Sequence, residues 1–540
     1  MTADDRVAPA GRGPAAARIA GAATMIAALT VLSRLAGFGR TLVFSQTVGV
    51  DDLGGVYLAA NTIPNIIFEI VAGGALAGLV VPLLAGPLAA GDRDQVRRTV
   101  SALLTWTLAV LVPLAVLLWF GAGAVMGLLQ PDAAPALHDA GASMLRVFAP
   151  QLPLYGIGIV LTGVLHAHRR FAWPVLAPLL SSLTVMGAYV LFAVQAGRVP
   201  AVATVSGGEL AILSVGTTLG VVVLSLCLVI PVSRLRLGLR PTFVIDPGQR
   251  RRVGGLAAAG VATVAAQQIA LLVTIRLALE PGAATNAVYN LAQTLYLLPW
   301  AVLAVPAATA AYPAIATAHA TADTATLRLT TARTGRAVLL LSGLGAAGLA
   351  AVAHPAAAFL ADGDPDRSRA LATAVIAFTP GLLGYGLAAL HQRTLYAVGA
   401  NRLAALGVSG GWAVALGAAL VLARTLPDGQ RAAALGAANS IGMLVMAVLL
   451  ALAVRARTGG AALSGLLRAA LAGSVAALAG GVAGAEAGHA VASDTPGIIA
   501  LAGQGMLSGG VSLVVFLIVC ALLDLPDLRP LLDRVSRRRG

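Results

Sequence analysis

Residues 33–87 read SRLAGFGRTLVFSQTVGVDDLGGVYLAANTIPNIIFEIVAGGALAGLVVPLLAGP. One apolar run, beginning near residue 19, ends at about 46, and a second fills 53–88. Each exceeds the roughly 20 residues that a helix needs to cross the hydrocarbon core. The two runs carry Arg34, Arg40 and Glu69. A charge at a helix centre costs at least ~2.5 kcal/mol by insertion scales, so such residues face a bundle interior or a watery cavity. The stretch therefore predicts an all-α, polytopic membrane protein whose interior holds the functional groups.

The second run is unusual. As one helix, 53–88 would be about 54 Å long, far more than a bilayer needs. Pro64, the Gly73-Gly74 pair, Pro82 and Pro87 interrupt it, and Pro299, Pro306 and Pro313 interrupt a later span. Proline removes a backbone hydrogen bond and kinks a helix. Two readings follow: hinges lining a cavity, for which Pro64, Gly73, Gly74 and Pro299 are the candidates, or small residues that let helices pack closely.

The whole chain agrees with its opening. Of 540 residues 58% are hydrophobic and 11% charged, with a mean hydropathy of +0.89. Soluble domains average about 25% charged residues, which argues against a soluble enzyme, a disordered regulator or a nucleic-acid partner. Fourteen spans are expected, at about 19–46, 53–88, 101–129, 139–165, 172–195, 210–233, 253–279, 284–317, 337–361, 370–390, 403–423, 432–454, 469–485 and 497–523. The 36 basic residues are all arginine. With the N-terminus inside, 27 of them fall in cytoplasmic segments, and only Arg198, Arg367, Arg369, Arg424 and Arg431 fall in outer loops. That asymmetry predicts both termini in the cytoplasm, with the basic tail lying near anionic lipid.

The longest cytoplasmic connection, 234–252, divides the spans six and six with two left over. The expected organisation is a tail (1–18), an N-lobe (19–233), the linker (234–252), a C-lobe (253–454), helices thirteen and fourteen (455–523) and a basic tail (524–540). The span ends Leu165-His166-Ala167-His168-Arg169 and Leu390-His391-Gln392-Arg393, offset by 225, and Pro64 against Pro299, offset by 235, read as traces of a duplication. A repeated transporter architecture is plausible on that count.

Inside the spans stand Arg34, Arg40, Arg146, Arg276 and Glu69. Arg34 and Arg40 are about 9 Å and 120° apart on a helix, so both can border one cavity. Arginine binds phosphate bidentately and stays charged, which suits an anionic, phosphate-bearing substrate. Arg276 either faces the cavity or pairs with Glu280 at i, i+4. Glu69 is a proton carrier or the counter-charge of an arginine. Arg146, beside Asp139, reads as structural. Asn61, Asn65, Gln267, Gln268, Asn290 and Gln293 either line the cavity or act as polar helix glue. Cys227 and Cys520 sit in apolar runs without ligand spacing. With no HExxH pattern and no GxxxxGK[ST] loop, no catalytic residues, metal, cofactor or ATP-driven step are expected. A membrane potential, proton or sodium gradient would drive transport.

SRLAGFGRTLVFSQTVGV, TIPNIIFEIVAGGALAGLVVPLLAG, HRRFAWPVLAPLLSSL and LYAVGANRLAALG resemble segments of the MurJ (MviN) family of bacterial lipid II flippases. The resemblance covers about residues 20–525. It implies a bacterial cytoplasmic-membrane protein of the superfamily that includes multidrug and oligosaccharide-lipid exporters. It further implies two six-helix lobes around a cationic cavity, alternating access, and a lipid-tail groove on helices thirteen and fourteen. The substrate would be lipid II, for cell-wall synthesis and cell shape, with membrane lipids and possible cell-wall or division proteins as partners. Through SR-x-x-GF-x-R the family's first-helix arginines match Arg34 and Arg40. Other family charges do not carry over. An acid falls near Gly55, an arginine pair at Phe68-Glu69, and an arginine near Gln293 or Thr294, so the cavity should be less basic here. Two rival readings are an exporter of drugs or another polyprenyl-linked glycan, and a non-transporting cell-wall scaffold.

Overall fold

The computed structural model describes residues 14–70, 80–168, 170–244, 264–361, 364–492 and 497–536. Among these no strand occurs. The first half comprises α1 (Pro14–Thr47), α2 (Asp52–Glu69), α3 (Val80–Ala89), α4 (Arg93–Leu129), α5 (Pro135–Phe148), α6 (Gln151–Ala167), α7 (Ala172–Ala196), α8 (Gly207–Leu226) and α9 (Val229–Ser233). The second begins with α10 (Val264–Leu279). It continues through α11 (Ala283–Pro299), α12 (Val305–Ala320), α13 (Thr324–Ala351), α14 (Ala353–Leu360), α15 (Pro365–Phe378), α16 (Gly381–Ala397), α17 (Asn401–Thr425) and α18 (Arg431–Thr458). Two more, α19 (Leu466–His489) and α20 (Ile498–Ser536), follow.

Among the described residues, ten helical units are long and apolar enough to cross a bilayer, or eleven if α15 and α16, bent by 42°, form one span. This is a coarser count than the fourteen expected. The other three predicted spans coincide with α1, with α2 and α3, and with the shorter α10, and each includes or adjoins residues outside the described set. Gly73 and Gly74 are among those residues.

Helices α1 to α9 pack among themselves, as do α11 to α18, while α19 and α20 pack on each other and on α13. Glycine makes that last contact possible. A Cβ on Gly484 would sit 2.4 Å from the Ser508 carbonyl, and one on Gly343 would sit 2.9 Å from that of Gly473. Small residues of this kind let membrane helices approach closely. The connection after α9 is partly strapped to the first half. Arg240 N donates to Ser101 Oγ and Thr242 N to Thr105 Oγ1, while Phe243 packs edge-on against Trp106. Some arginines on the predicted cytoplasmic side also brace the bundle. Arg328 Nε donates to the Thr458 carbonyl at 2.6 Å and Arg336 Nη1 to that of Ser464 at 2.9 Å.

The two halves repeat part of their helix order, in a register that differs from the expected one. Helices α5 and α15 have 14 residues each, and α6 and α16 have 17. The breaks between them are Phe148-Ala149-Pro150 and Phe378-Thr379-Pro380, 230 residues apart. In α2 and α11 the pattern V-Y-x-x-A-x-T recurs 232 residues apart, at Val56-Tyr57 and Val288-Tyr289. The offsets of 225 and 235 are therefore corrected: His391 is not the counterpart of His166 or His168, nor Pro299 of Pro64. Pro64 stays within α2. Pro299 is followed by a π-helical turn, Trp300–Ala304, a local departure of the kind that often marks a functional position.

Candidate functional site

At one end, formed by the connections 48–51, 130–134, 280–282 and 426–430, the two halves are joined. Gly55 on α2 meets α11 so closely that a Cβ there would lie 1.7 Å from the Ala283 carbonyl oxygen. Across this crossing Asn286 Nδ2 donates to the Gly55 carbonyl at 2.9 Å. Asp52 Oδ1 accepts from Ala284 N at 3.2 Å, so the first half caps a helix of the second. Gln46 Nε2 donates to the Phe359 carbonyl at 2.6 Å, and Arg198 holds Gln46 through its backbone and side-chain oxygens.

Beyond this seam lies a cavity of about 140 Å³ shared by both halves. Arg40, Asn61 and Tyr189 line it from the first half, and Asn290 and Thr294 from the second. The structure thus brings together Arg40, Asn61 and Asn290. The Asn61 Oδ1 atom is buried without a hydrogen-bond partner among the described residues. Asn65 turns away, donating to the Asn61 carbonyl and accepting from Tyr155 at 2.9 Å. Arg34 is exposed on α1, about 9 Å along the helix from Arg40. Glu69 is exposed at the end of α2, within electrostatic reach of Tyr385 on the other half, and makes no ion pair among the described residues.

Arg276 is not part of this group. Its Nη1 donates to the Leu129 carbonyl at 3.1 Å, at the C-terminal end of α4. A cation suits that position because the last carbonyls of a helix lack internal partners and carry its negative pole. Glu280, the other partner considered for Arg276, pairs instead with Arg431 at 2.9 Å. Arg431, which the sequence places in an outer loop, is only 7% exposed and also contacts Asp428 and the Leu277 carbonyl. Arg146 is exposed, and Asp139 pairs with His138 rather than with it.

Each half also has a cavity of its own. In the first, about 310 Å³, the Tyr155 and Phe68 rings meet at a tilt, 4.5 Å between centroids, beside His166. In the second, about 190 Å³, Tyr385 takes the equivalent place, stacked on Trp300 at 4.5 Å. Gln267 and Gln293 line this second cavity, not the one with Arg40. Gln268 is buried beside it, its Oε1 without a partner among the described residues. Sequence reasoning missed Asn286, Tyr155 and Tyr385. The repeated Phe-x-Pro break, five residues before each, was the available signal for the two tyrosines. Nothing local marks Asn286.

Comparison with known proteins matches residues 44–493 to the family model of the lipid II flippase MurJ. The chain is 29% identical over 147 residues to a probable lipid II flippase MurJ of Synechocystis sp., covering 27% of each protein. It is 27% identical over 277 residues to the lipid II flippase MurJ of Burkholderia cenocepacia, covering 49% of this chain and 51% of that one. The matched stretches thus span about half the length of these relatives or less. Among solved structures it is similar to a lipid II flippase MurJ in an inward closed conformation, with a TM-score of 0.74 and 16% identity. That match covers 94% of this chain and 100% of the other. It is also similar to an inward-facing multidrug-resistance MATE transporter of the MOP superfamily (TM-score 0.66, 16% identity, covering 80% and 95%). At such identities these likenesses establish the fold.

Proposed function

The chain belongs to the lipid II flippase MurJ family, a family of polytopic cytoplasmic-membrane transporters, and from that premise we propose that it flips lipid II across the cytoplasmic membrane by alternating access. On this reading it is a transporter and not an enzyme, and both termini are cytoplasmic. The seam at Gly55 and Asn286 then lies on the outer side, so the cavity is closed outward and loads from the cytoplasm. The observation that carries the reading is Arg40, a permanent cation on the wall of a cleft that both halves build and that is sealed at one end.

The chemistry is selective binding and release, with no bond made or broken. Arg40 holds the pyrophosphate through paired N–H donors, and Asn61, Asn290 and Thr294 meet sugar hydroxyls or phosphate oxygens. Arg34 lies on the approach. The halves, 19–233 and 253–454, rock about the seam, with the break after Pro299 yielding, while α19 and α20 accommodate the polyprenyl tail. A membrane potential, proton or sodium gradient supplies the drive. Glu69, lacking an ion-pair partner among the described residues, suits a proton carrier better than a fixed counter-charge. Partners among cell-wall synthesis or division proteins belong to the same proposal.

The test is movement of fluorescent lipid II in liposomes together with rescue of a flippase-depleted strain. Arg40→Ala and Arg34→Ala are expected to insert normally and to lose both activities. Full rescue by Arg40→Ala overturns its assignment, and an inert wild-type protein in both assays overturns the function. Drug export without lipid II movement would favour the antiporter reading.

A further inference from the structure

Asn286 is fully buried, and its carboxamide is held from both sides. Its Nδ2 reaches across the seam to the Gly55 carbonyl, while its Oδ1 accepts from Asn290 Nδ2 at 3.0 Å. Asn290, one turn along α11, is half-buried and lines the cavity that contains Arg40. Its Nδ2 also donates to the Asn286 carbonyl at 2.8 Å. One residue of the cavity wall therefore fixes the side chain that fastens the seam. The seam has no slack, since the α2–α11 crossing leaves no room for a Cβ at Gly55.

We propose that Asn290 and Asn286 form a relay that couples occupancy of the Arg40 cavity to opening of the outer end. The inference rests on the reading that this cavity receives an oxygen-rich, phosphate-bearing headgroup. A phosphate or hydroxyl oxygen drawn to Arg40 competes for the Asn290 amide hydrogens. When Asn290 turns toward it, Asn286 Oδ1 loses its donor in a site closed to water. An unpaired buried acceptor is costly, so the arrangement that holds Gly55 ceases to be the favoured one. An empty cavity keeps the seam fastened, and a loaded one loosens it. Asn286 acts through Asn290 and is a positioning residue.

The test uses the full chain in nanodiscs with Cys227→Ser and Cys520→Ser, and spin labels at Asp132→Cys and Gln430→Cys. Both label positions are exposed, in connections of opposite halves beside the seam. Electron–electron distance measurements then report whether that end is shut. Without ligand, Asn286→Ala and Asn290→Ala are each expected to raise the open-to-shut ratio by roughly fivefold or more, the lower end of common coupling strengths. The double variant opens no further than either single one, because the residues act in series. Gly55→Ala forces the seam by a steric route and calibrates the open distance. Added lipid II lengthens the distance in wild type and leaves Asn290→Ala unchanged. If both asparagine variants stay shut while Gly55→Ala opens, or if the two substitutions simply add, the relay is overturned. If wild type ignores lipid II while the asparagine variants open, the lipid II reading fails and the relay stands.

Discussion

The two halves share an aromatic frame and differ in the polar groups set upon it. Tyr57 meets Phe148 at 5.8 Å between ring centroids, and Tyr289 meets Phe378 at 5.6 Å. The Phe68–Tyr155 and Trp300–Tyr385 ring pairs both lie 4.5 Å apart, the first tilted and the second stacked. The polar groups do not follow this repeat. Tyr57 Oη is bonded to Tyr189 and Thr217 within 2.8 Å, whereas the bond from Gln293 to Tyr289 Oη is 3.4 Å long. By the 232-residue register, Gly54 and Leu58 stand where the second half has Asn286 and Asn290. Ring packing sets where the helices cross, so it recurs wherever the frame recurs. Hydrogen bonds depend on single side chains, and those substitutions make a symmetric frame work asymmetrically.

Four substitutions, at three places, would break or sharpen that comparison. The largest effect is expected at the start of each half's last long helix. The first half caps α8 with the reciprocal Ser206–Glu209 box, while α18 begins at buried Arg431, held by Glu280 and Asp428. Arg431→Ala leaves the Leu277 carbonyl and two acids without their donor. Because Glu280 and Asp428 are partly exposed, the loss is expected to be about 2 kcal/mol rather than the larger value of a fully buried pair. Thermal unfolding in detergent measures it, and an unchanged midpoint would remove the bracing role.

The tyrosines come next. Tyr57→Phe strands the partners of a buried hydroxyl and should cost about 1–2 kcal/mol, against less than about 0.5 kcal/mol for Tyr289→Phe. Equal losses in the same unfolding assay would mean that the polar asymmetry is energetically idle.

The smallest effect concerns the caps at the seam. Asp51 caps α2, whereas α11 begins after Gly282 and is capped by Asp52 from the other half. Burial pushes the Asp51 carboxyl above its ordinary value of 3.8, against the pull of the Gly54 N–H and the Arg367 guanidinium. A raised native value means that its contribution to stability is fully present below 3.8 and is lost as pH rises through the raised value. At pH 7 the charge is therefore a small cost. Asp51→Asn, which keeps the capping oxygen, should be at least as stable as wild type there and lose that advantage in acid. A variant that is weaker at pH 7 and equal in acid would reverse this account.

Much of the fold was legible because membrane spans are set by local composition. The runs at 101–129, 172–195 and 403–423 fall within α4, α7 and α17, whose apolar lengths need no tertiary information. The site was legible only in part. Arg40 stood out as an ion in an apolar run and does line the shared cavity. Arg276 stood out in the same way, yet it caps α4, because the nearest open acceptor lay on a helix some 150 residues away in sequence. Arg431 was read as a loop charge, since nothing in LPDGQR tells that Glu280 lies opposite it.

The sequence by itself determined that the chain is an all-α membrane protein, where most of its spans lie, and that its first span carries the cations Arg34 and Arg40. These follow from transfer free energies, which each segment meets alone. Only the tertiary structure decided which of the charged and polar residues share a wall, that one end of the cleft is fastened through Gly55 and Asn286, and that Gln267 and Gln293 belong to a separate cavity. Those facts depend on directions and separations of about 3 Å between residues such as Gly55 and Asn286, 231 positions apart, which no local pattern encodes.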